Sequence, residues 1–229
     1  MTLTTNHCRR AGPRIGGRSL VRTALSGALL TGIALPAMAA DYPSVQPQRD
    51  VTVSYDLDSS ATGPMRLRLM ASPQMQIMRI ELGGNGDYLL LDQGQERARL
   101  VSPQKGLDFA VPTEGFLHRD LGPASGLRFQ RDGHRRIAGL SCTVWKVLGP
   151  DGAGDACVTE DGVVLEGQGR GFRPDDQGRV PAGHLIATAV DYAPLPPALF
   201  VVPPGLQEVD LPQALFRAMV PGLSGLPAP

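Results

Sequence analysis

Residues 51–69 decide the fold class, because two stretches within them alternate apolar and polar residues. Residues 51–57 read VTVSYDL, and residues 65–69 read MRLRL. Successive side chains of a strand point to opposite faces of a sheet, so alternation is typical of a strand with one buried face. Ser, Gly and Pro between the two stretches predict a turn. The sequence therefore predicts antiparallel strands at the start of a β-rich domain.

Short strand-like segments separated by turn residues continue to residue 192. In residues 51–111 the pattern predicts a meander of about six strands, the third over residues 74–82, each ending at Gly, Pro, Asn or Asp. Further strands are expected at 127–131 and 136–140, separated by a turn at Asp132 and Gly133, then at 143–148, 157–159, 163–167 and 185–192. The glycines and charges of residues 167–183 predict an exposed loop. The predicted fold is mostly β, a single curved antiparallel sheet.

The end of the chain carries the one helical pattern. Asp210 followed three residues later by Gln213, with Pro212 near the first helical position, is typical of a helix start. Leu211, Ala214, Leu215, Ala218 and Met219 share one face of such a helix. Residues 211–229 are therefore predicted to form a short C-terminal helix, over residues 212–219, and a flexible tail.

Residues 1–40 have the three-part order of a secretory signal peptide. Five arginines and no acidic residue are followed by an apolar stretch, residues 23–35, and then by small residues that include Ala37 and Ala39. Cleavage is expected after Ala39 or Ala40. An uncleaved membrane anchor is the alternative, but the apolar stretch is shorter than the roughly 20 residues that cross a bilayer. We therefore expect Sec-dependent export to the periplasm, with secretion from the cell as the alternative.

The charge balance changes when the signal peptide is removed. The chain has 22 basic and 22 acidic residues, and losing the five arginines leaves 17 basic residues. An acidic chain without a basic run gives no electrostatic basis for binding nucleic acid or an anionic membrane surface. Residues 41–210 are long enough for one β domain with its own core.

Few residues suggest chemistry. His118, His134 and His184 are isolated in sequence and no Cys pair is closely spaced, so neither a metal site nor a cofactor is expected. The Gly-x-Ser-x-Gly elbow of many hydrolases does not occur. A hydrolase site assembled from distant residues, such as His134, Asp161 and Ser141, stays open as an alternative.

Cys142 and Cys157 are the two cysteines that remain once Cys8 leaves with the signal peptide. Export would place both in an oxidising compartment. Residues 149–154 are rich in turn-forming residues, which favours a hairpin that returns Cys157 to Cys142. A disulfide is therefore predicted, and two buried free thiols are the alternative.

Four segments carry a resemblance to a known family: 88–101 (YLLLDQGQERARLV), 137–147 (IAGLSCTVWKV), 157–165 (CVTEDGVVL) and 199–206 (LFVVPPGL). They resemble an uncharacterised family of exported proteobacterial proteins, which is similar in turn to the periplasmic lipoprotein carriers of LolA-like fold. The resemblance implies an incomplete barrel whose concave apolar face is covered by short helical segments. It assigns no residue as a ligand contact.

Two classes of function follow. The first is a non-catalytic envelope protein that holds a lipid, an acyl chain, another apolar ligand or a partner segment in the concave face, as the resemblance implies. The second is an exported hydrolase or a thiol-dependent enzyme. A free thiol at Cys142 or Cys157 would favour the enzyme, whereas a disulfide would remove its thiol version.

Overall fold

The structure is a computed structural model that describes residues 42–60, 62–111, 113, 126–174 and 178–210. The predicted signal peptide, with its cleavage site at Ala39 or Ala40, lies outside the described residues. The predicted C-terminal helix, residues 212–219, lies outside them as well. His118 lies outside the described residues too.

The described residues form one sheet of twelve strands. In chain order the strands are β1 Val51–Ser59, β2 Gly63–Ser72, β3 Ile77–Leu82, β4 Tyr88–Asp92, β5 Arg97–Ser102, β6 Leu107–Val111, β7 Arg128–Ile137, β8 Leu140–Leu148, β9 Gly152–Val158, β10 Val164–Gly171, β11 Ala182–Asp191 and β12 Gln207–Asp210. Two short 3₁₀ helices, Pro103–Lys105 and Pro197–Phe200, are the helices of the described part. The predicted mostly-β class is confirmed.

The order of the strands is β12-β6-β5-β4-β3-β2-β1-β11-β10-β9-β8-β7. Strands β1 to β6 follow one another across the sheet, so the predicted six-strand meander is confirmed. Strands β7 to β11 form a second meander, which joins the first where β11 pairs with β1. No pairing between β7 and β12 is seen in the described residues, and the sheet is open there.

One strand pair differs from the predicted antiparallel sheet. Strand β12 pairs with β6 in parallel. Strand β11 ends beside β1, in the interior of the sheet, and the chain must cross the sheet through residues 192–206 before β12 reaches the edge. Parallel neighbours require a crossover connection of this kind. Because the connection spans several strands, the local alternation of residues did not reveal it.

Three strand boundaries also correct the sequence prediction. Residues 73–76 form a turn, so β3 begins at Ile77 rather than at residue 74. The predicted turn at Asp132 and Gly133 is an irregularity inside one long strand, β7, where the register with β8 shifts and Gly133 has φ +90°. An extra residue of this type bends a strand without ending it. Strand β10 extends to Gly171 into the predicted loop.

One face of the sheet is apolar across six strands; we call it the apolar face. Residues directly opposite on neighbouring strands point to the same side of the sheet. One such row is Val53, Leu69, Ile80, Leu89, Leu100 and Phe109, and a second is Val51, Ala71, Met78, Leu91, Ala98 and Val111. The apolar residues of the alternating pattern therefore form one continuous apolar surface across β1 to β6.

The crossover covers part of the other face. Phe200 packs there in a cluster with Met70, Tyr88, Leu90 and Val101, and its neighbours Leu195, Leu199, Val202 and Leu206 pack against the same cluster. The Asp50 carboxylate accepts a hydrogen bond from the backbone N–H of Leu195 at 2.8 Å, which fixes where the crossover begins. The helical cover of the apolar face that the resemblance implies would come from residues 212–219, which lie outside the described residues. The described crossover is a mostly irregular segment on the opposite face.

Candidate functional site

The structure does not bring the three hydrolase candidates together. His134 on β7 has its Nδ1 atom 3.3 Å from the hydroxyl oxygen of Thr143 on the neighbouring strand. Ser141 is exposed and lies opposite Arg136 in the β7–β8 pair. Asp161 lies in the connection between β9 and β10. No hydrogen bond links any two of the three in the described part of the chain.

Cys142 and Cys157 form a disulfide bond in the structure, with their Cα atoms 5.4 Å apart. Strands β8 and β9 are the predicted hairpin and carry the two cysteines. Both cysteines are buried, in a cluster with Val144, Leu165 and Val53 among others. The bond leaves neither sulfur as a thiolate, so the structure offers no nucleophile for a thiol-dependent enzyme.

The Asp161 carboxylate binds three side chains, and neither His134 nor Ser141 is among them. Its carboxylate accepts hydrogen bonds from Thr159 at 2.6 Å, from Arg49 Nε at 3.0 Å and from the Tyr192 hydroxyl at 3.3 Å. The backbone carbonyl of Asp161 accepts a further bond from Gln48. These hydrogen bonds of Asp161 connect the segment before β1 to the β9–β10 connection and stabilise their packing.

Gly162 shows how closely these segments meet. It has φ +88°, and a Cβ atom at this position would overlap the backbone oxygen of Gln46. Both the left-handed backbone and the close approach require glycine. The contact therefore depends on backbone shape as well as on the Asp161 carboxylate.

The Asp161 contacts predict a pH-dependent contribution to stability. Burial raises the pKa of Asp161, but the hydrogen bonds from Thr159, Arg49 and Tyr192 outweigh burial and leave the pKa below its ordinary value of 3.8. A lowered folded-state pKa stabilises the fold above the unfolded-state pKa, and this contribution is lost as the pH falls through the folded-state pKa. We expect Asp161→Asn to be less stable than the wild type at pH 7, with the difference shrinking below about pH 4. Urea unfolding at several pH values measures this.

Asp58→Asn is the matched control for that experiment. Asp58 is an exposed carboxylate, and no polar side chain of the described residues binds it. The control is expected to leave the stability nearly unchanged at pH 7. A difference between Asp161→Asn and the wild type that stays constant from pH 7 to pH 3 would contradict the assigned role of the carboxylate.

A groove of about 800 Å³ opens on the face opposite the apolar face. Strands β1, β11, β10, β9, β8 and β7 all contribute to it. One row of opposite residues crosses it: Gln130, Lys146, Asp155, Gln168, His184 and Asp58. Val147, Leu148, Ala153 and Ala182 also line the groove. The groove therefore combines polar and apolar groups.

Most charged groups near this row already have partners. Lys146 is paired with Asp132 at 3.0 Å, and the Gln168 amide donates to Asp155 at 2.9 Å. His184 Nε2 lies 3.1 Å from Glu166, which also binds Arg135 at 2.7 Å. Such an arrangement can hold a polar ligand, but it presents no activated nucleophile.

Neither a metal site nor a membrane-spanning helix is found in the part of the chain that the structure describes. No group of three or more His, Cys, Asp or Glu side chains there is placed to hold a metal ion. No described helix has the length and apolar character to span a bilayer.

Sequence reasoning missed the residues of the groove. Gln130, Lys146, Gln168 and Asp58 come from four different strands, and only the register of those strands makes them neighbours. A signal was present in the glycines of β9 and β10, which were interpreted as loop residues. Glycine in a strand also marks places where the sheet carries no side chain.

No protein-family model matches the chain, and no curated protein matches it. Several solved structures are similar. An uncharacterised conserved protein from Thermus thermophilus has a TM-score of 0.48 at 16% identity, over 71% of this chain and 91% of that one. MucB of the Pseudomonas aeruginosa MucA/MucB complex has a TM-score of 0.47 at 12% identity, over 72% of this chain; the match spans 59% of the MucB chain.

A third similar structure bears on the resemblance predicted from the sequence. A LolA superfamily protein from Nitrosomonas europaea has a TM-score of 0.37 at 11% identity, over 69% of this chain and 92% of that one. The chain is similar to this LolA superfamily protein, and the resemblance stated from the sequence named the same superfamily.

Proposed function

We propose that the chain is an exported, non-catalytic envelope protein that binds a lipid, an acyl chain or another apolar ligand on the apolar face. One observation carries the proposal. The part of the apolar face formed by β1 and β2 has large side chains that are only half-buried, namely Leu57, Met65, Leu67 and Leu69. An apolar partner segment of another envelope protein would meet the same surface.

The distribution of charge in these two strands supports the proposal. Leu57 is opposite Met65 on the apolar face, whereas Asp56 is opposite Arg66 on the other face, where both are exposed. Water therefore solvates the charged side chains of one face. On the apolar face, it contacts part of the surface of large apolar side chains. Covering apolar area stabilises a complex by about 25 cal/mol per Å² before the cost of association is counted.

Export is part of the proposal and rests on the signal-peptide pattern of residues 1–40. Expression with the intact leader should yield a chain that begins at Ala40 or Asp41 in the osmotic-shock fraction. Intact-mass measurement identifies the first residue. A chain that retains Met1 in the membrane pellet would refute export as proposed.

Binding can be tested with N-phenyl-1-naphthylamine, an uncharged probe that fluoresces in apolar surroundings. We expect the processed protein to increase the fluorescence in a saturable manner. Changing Leu57→Gln and Met65→Gln together should weaken probe binding by about tenfold or more, because two large apolar side chains leave the site. A titration of probe against each protein measures this.

The matched control is the neighbouring pair on the other face, Asp56→Asn with Arg66→Gln. The ion pair between Asp56 and Arg66 is 3.5 Å long and exposed, so its loss should change stability little. Probe binding should remain as in the wild type. Equal loss of binding in both double variants, with both proteins folded by circular dichroism, would refute the apolar face as the site.

A further inference from the structure

A second site is indicated on the face opposite the apolar face, near the β8–β9 turn. The register places Arg128, Leu148, Ala153 and Arg170 in one row across β7, β8, β9 and β10. All four residues are exposed. Two guanidinium groups thus flank a short apolar strip, three strand spacings apart, or about 14 Å between backbones.

The two arginines differ from others on this face. Arg66, Arg68, Arg79 and Arg135 all pair with carboxylates. Neither Arg128 nor Arg170 has a hydrogen bond or an ion pair within the described residues. A guanidinium group can bind a carboxylate with two parallel hydrogen bonds, and no described residue occupies either of these two groups.

Apolar groups lie beside these charges. Leu148 is 47% exposed and Phe172 is 55% exposed, which places both among the few large apolar side chains of the described part that face water. Phe172 follows β10, and its backbone N–H donates to Asp151 in the β8–β9 turn, which holds it at this end of the sheet.

Two concave regions meet at Arg170. The large groove includes Arg170, Leu148 and Ala153 in its lining. A smaller cavity of about 310 Å³ is lined by Ala153, Arg170, Gly171, Phe172 and Val180. Volumes of roughly 300 to 1,000 Å³ are typical of small-molecule sites. Arg170 therefore lines both concave regions.

We propose that this site binds a single-chain anionic amphiphile, with its carboxylate at Arg170 and its apolar chain against Leu148 and Phe172. A cation that has no partner among the described residues, beside exposed apolar side chains, fits a ligand with both characters, which neither a sugar nor a simple anion has. The site is separate from the apolar face and does not depend on the function proposed there.

The test is calorimetric titration of the processed protein with decanoate below its micelle concentration, beside uncharged decyl maltoside. We expect decanoate to bind in a saturable manner and decyl maltoside to bind at least tenfold more weakly. Arg170→Gln should weaken decanoate binding by about tenfold, as expected for the loss of a hydrogen-bonded ion pair. Phe172→Ser should weaken it as well.

Arg97→Gln is the matched control, because Arg97 is also exposed and unpaired in the described residues but lies on β5, toward the opposite edge of the sheet. Arg97→Gln should bind decanoate like the wild type. The Leu57→Gln, Met65→Gln double variant should keep the decanoate binding that Arg170→Gln weakens, even where binding of acyl chains to the apolar face is lost. Equal effects of Arg97→Gln and Arg170→Gln, or loss of decanoate binding in the apolar-face variant alone, would overturn the site. Binding to phosphatidylglycerol vesicles without binding to decanoate would overturn it too, because the ligand would then be a membrane surface.

Discussion

Replacing Cys142 and Cys157 by alanine together should lower the free energy of unfolding by about 3 kcal/mol, according to the chain-entropy model for a loop of this size. The two cysteines are 15 residues apart in sequence, and both are buried. The disulfide restricts the unfolded chain, so its removal chiefly stabilises the unfolded state. Alanine is preferred to serine because a buried hydroxyl without a partner would add its own penalty. Urea unfolding of the two proteins measures the difference.

The redox state needs its own measurement. Protein prepared from the periplasm and denatured without reductant should show no thiol that reacts with a maleimide, and two after reduction. Two reactive thiols before reduction would show that the bond does not form in the cell. In that case the double alanine variant should lose little stability, and the thiol-dependent enzyme would return as a hypothesis.

The sequence predicted those parts of the fold that depend on local alternation. Strands β4 and β6 have the bounds that the sequence predicts, residues 88–92 and 107–111, because their residues face a buried layer and their ends carry turn residues. It did not predict β12, since QEVD is four residues long and has one apolar side chain. Its place beside β6 depends on the crossover, which brings together segments about 100 residues apart in sequence.

The site shows the same division between local and non-local information. The half-buried leucines of β1 and β2 could be predicted, because each strand alone shows which face is apolar. The row formed by Arg128, Leu148 and Arg170 could not, because three registers and the irregularity in β7 decide which side chains become neighbours. The pairing of Asp161 with Arg49 was likewise hidden, since the two residues are 112 positions apart.

Strand β12 is held by charge as well as by its backbone. Asp108 on β6 is 2% exposed, and its carboxylate binds the Arg99 guanidinium of β5 through two oxygens, one of them 3.0 Å from Nε. Glu208 of β12 lies 3.5 Å from the same guanidinium. One arginine therefore lies against carboxylates of two strands, and it links the parallel edge strand to the antiparallel meander.

Arg99→Met should destabilise the fold by about 3 to 5 kcal/mol, the range measured when one partner of a buried ion pair is removed. Methionine keeps much of the apolar stem, so the loss reflects mainly the carboxylate of Asp108, which stays buried without its cation. Urea unfolding at pH 7 measures this. Glu208→Gln removes only the exposed member of the group and should cost less than about 1 kcal/mol.

The double variant Arg99→Met, Asp108→Leu distinguishes two contributions to the free energy of unfolding: the penalty of a buried unpaired carboxylate and the net stabilisation by the ion pair. Adding Asp108→Leu to Arg99→Met removes the buried carboxylate, and replacing both members of a buried pair by apolar residues is often nearly neutral. We therefore expect the double variant to regain most of the lost stability, with a coupling energy of roughly 2 kcal/mol or more between the two sites. Additive losses would mean that Arg99 stabilises the sheet through its packing and not through the Asp108 carboxylate. The attachment of β12 would then depend on its four-residue backbone pairing with β6 alone.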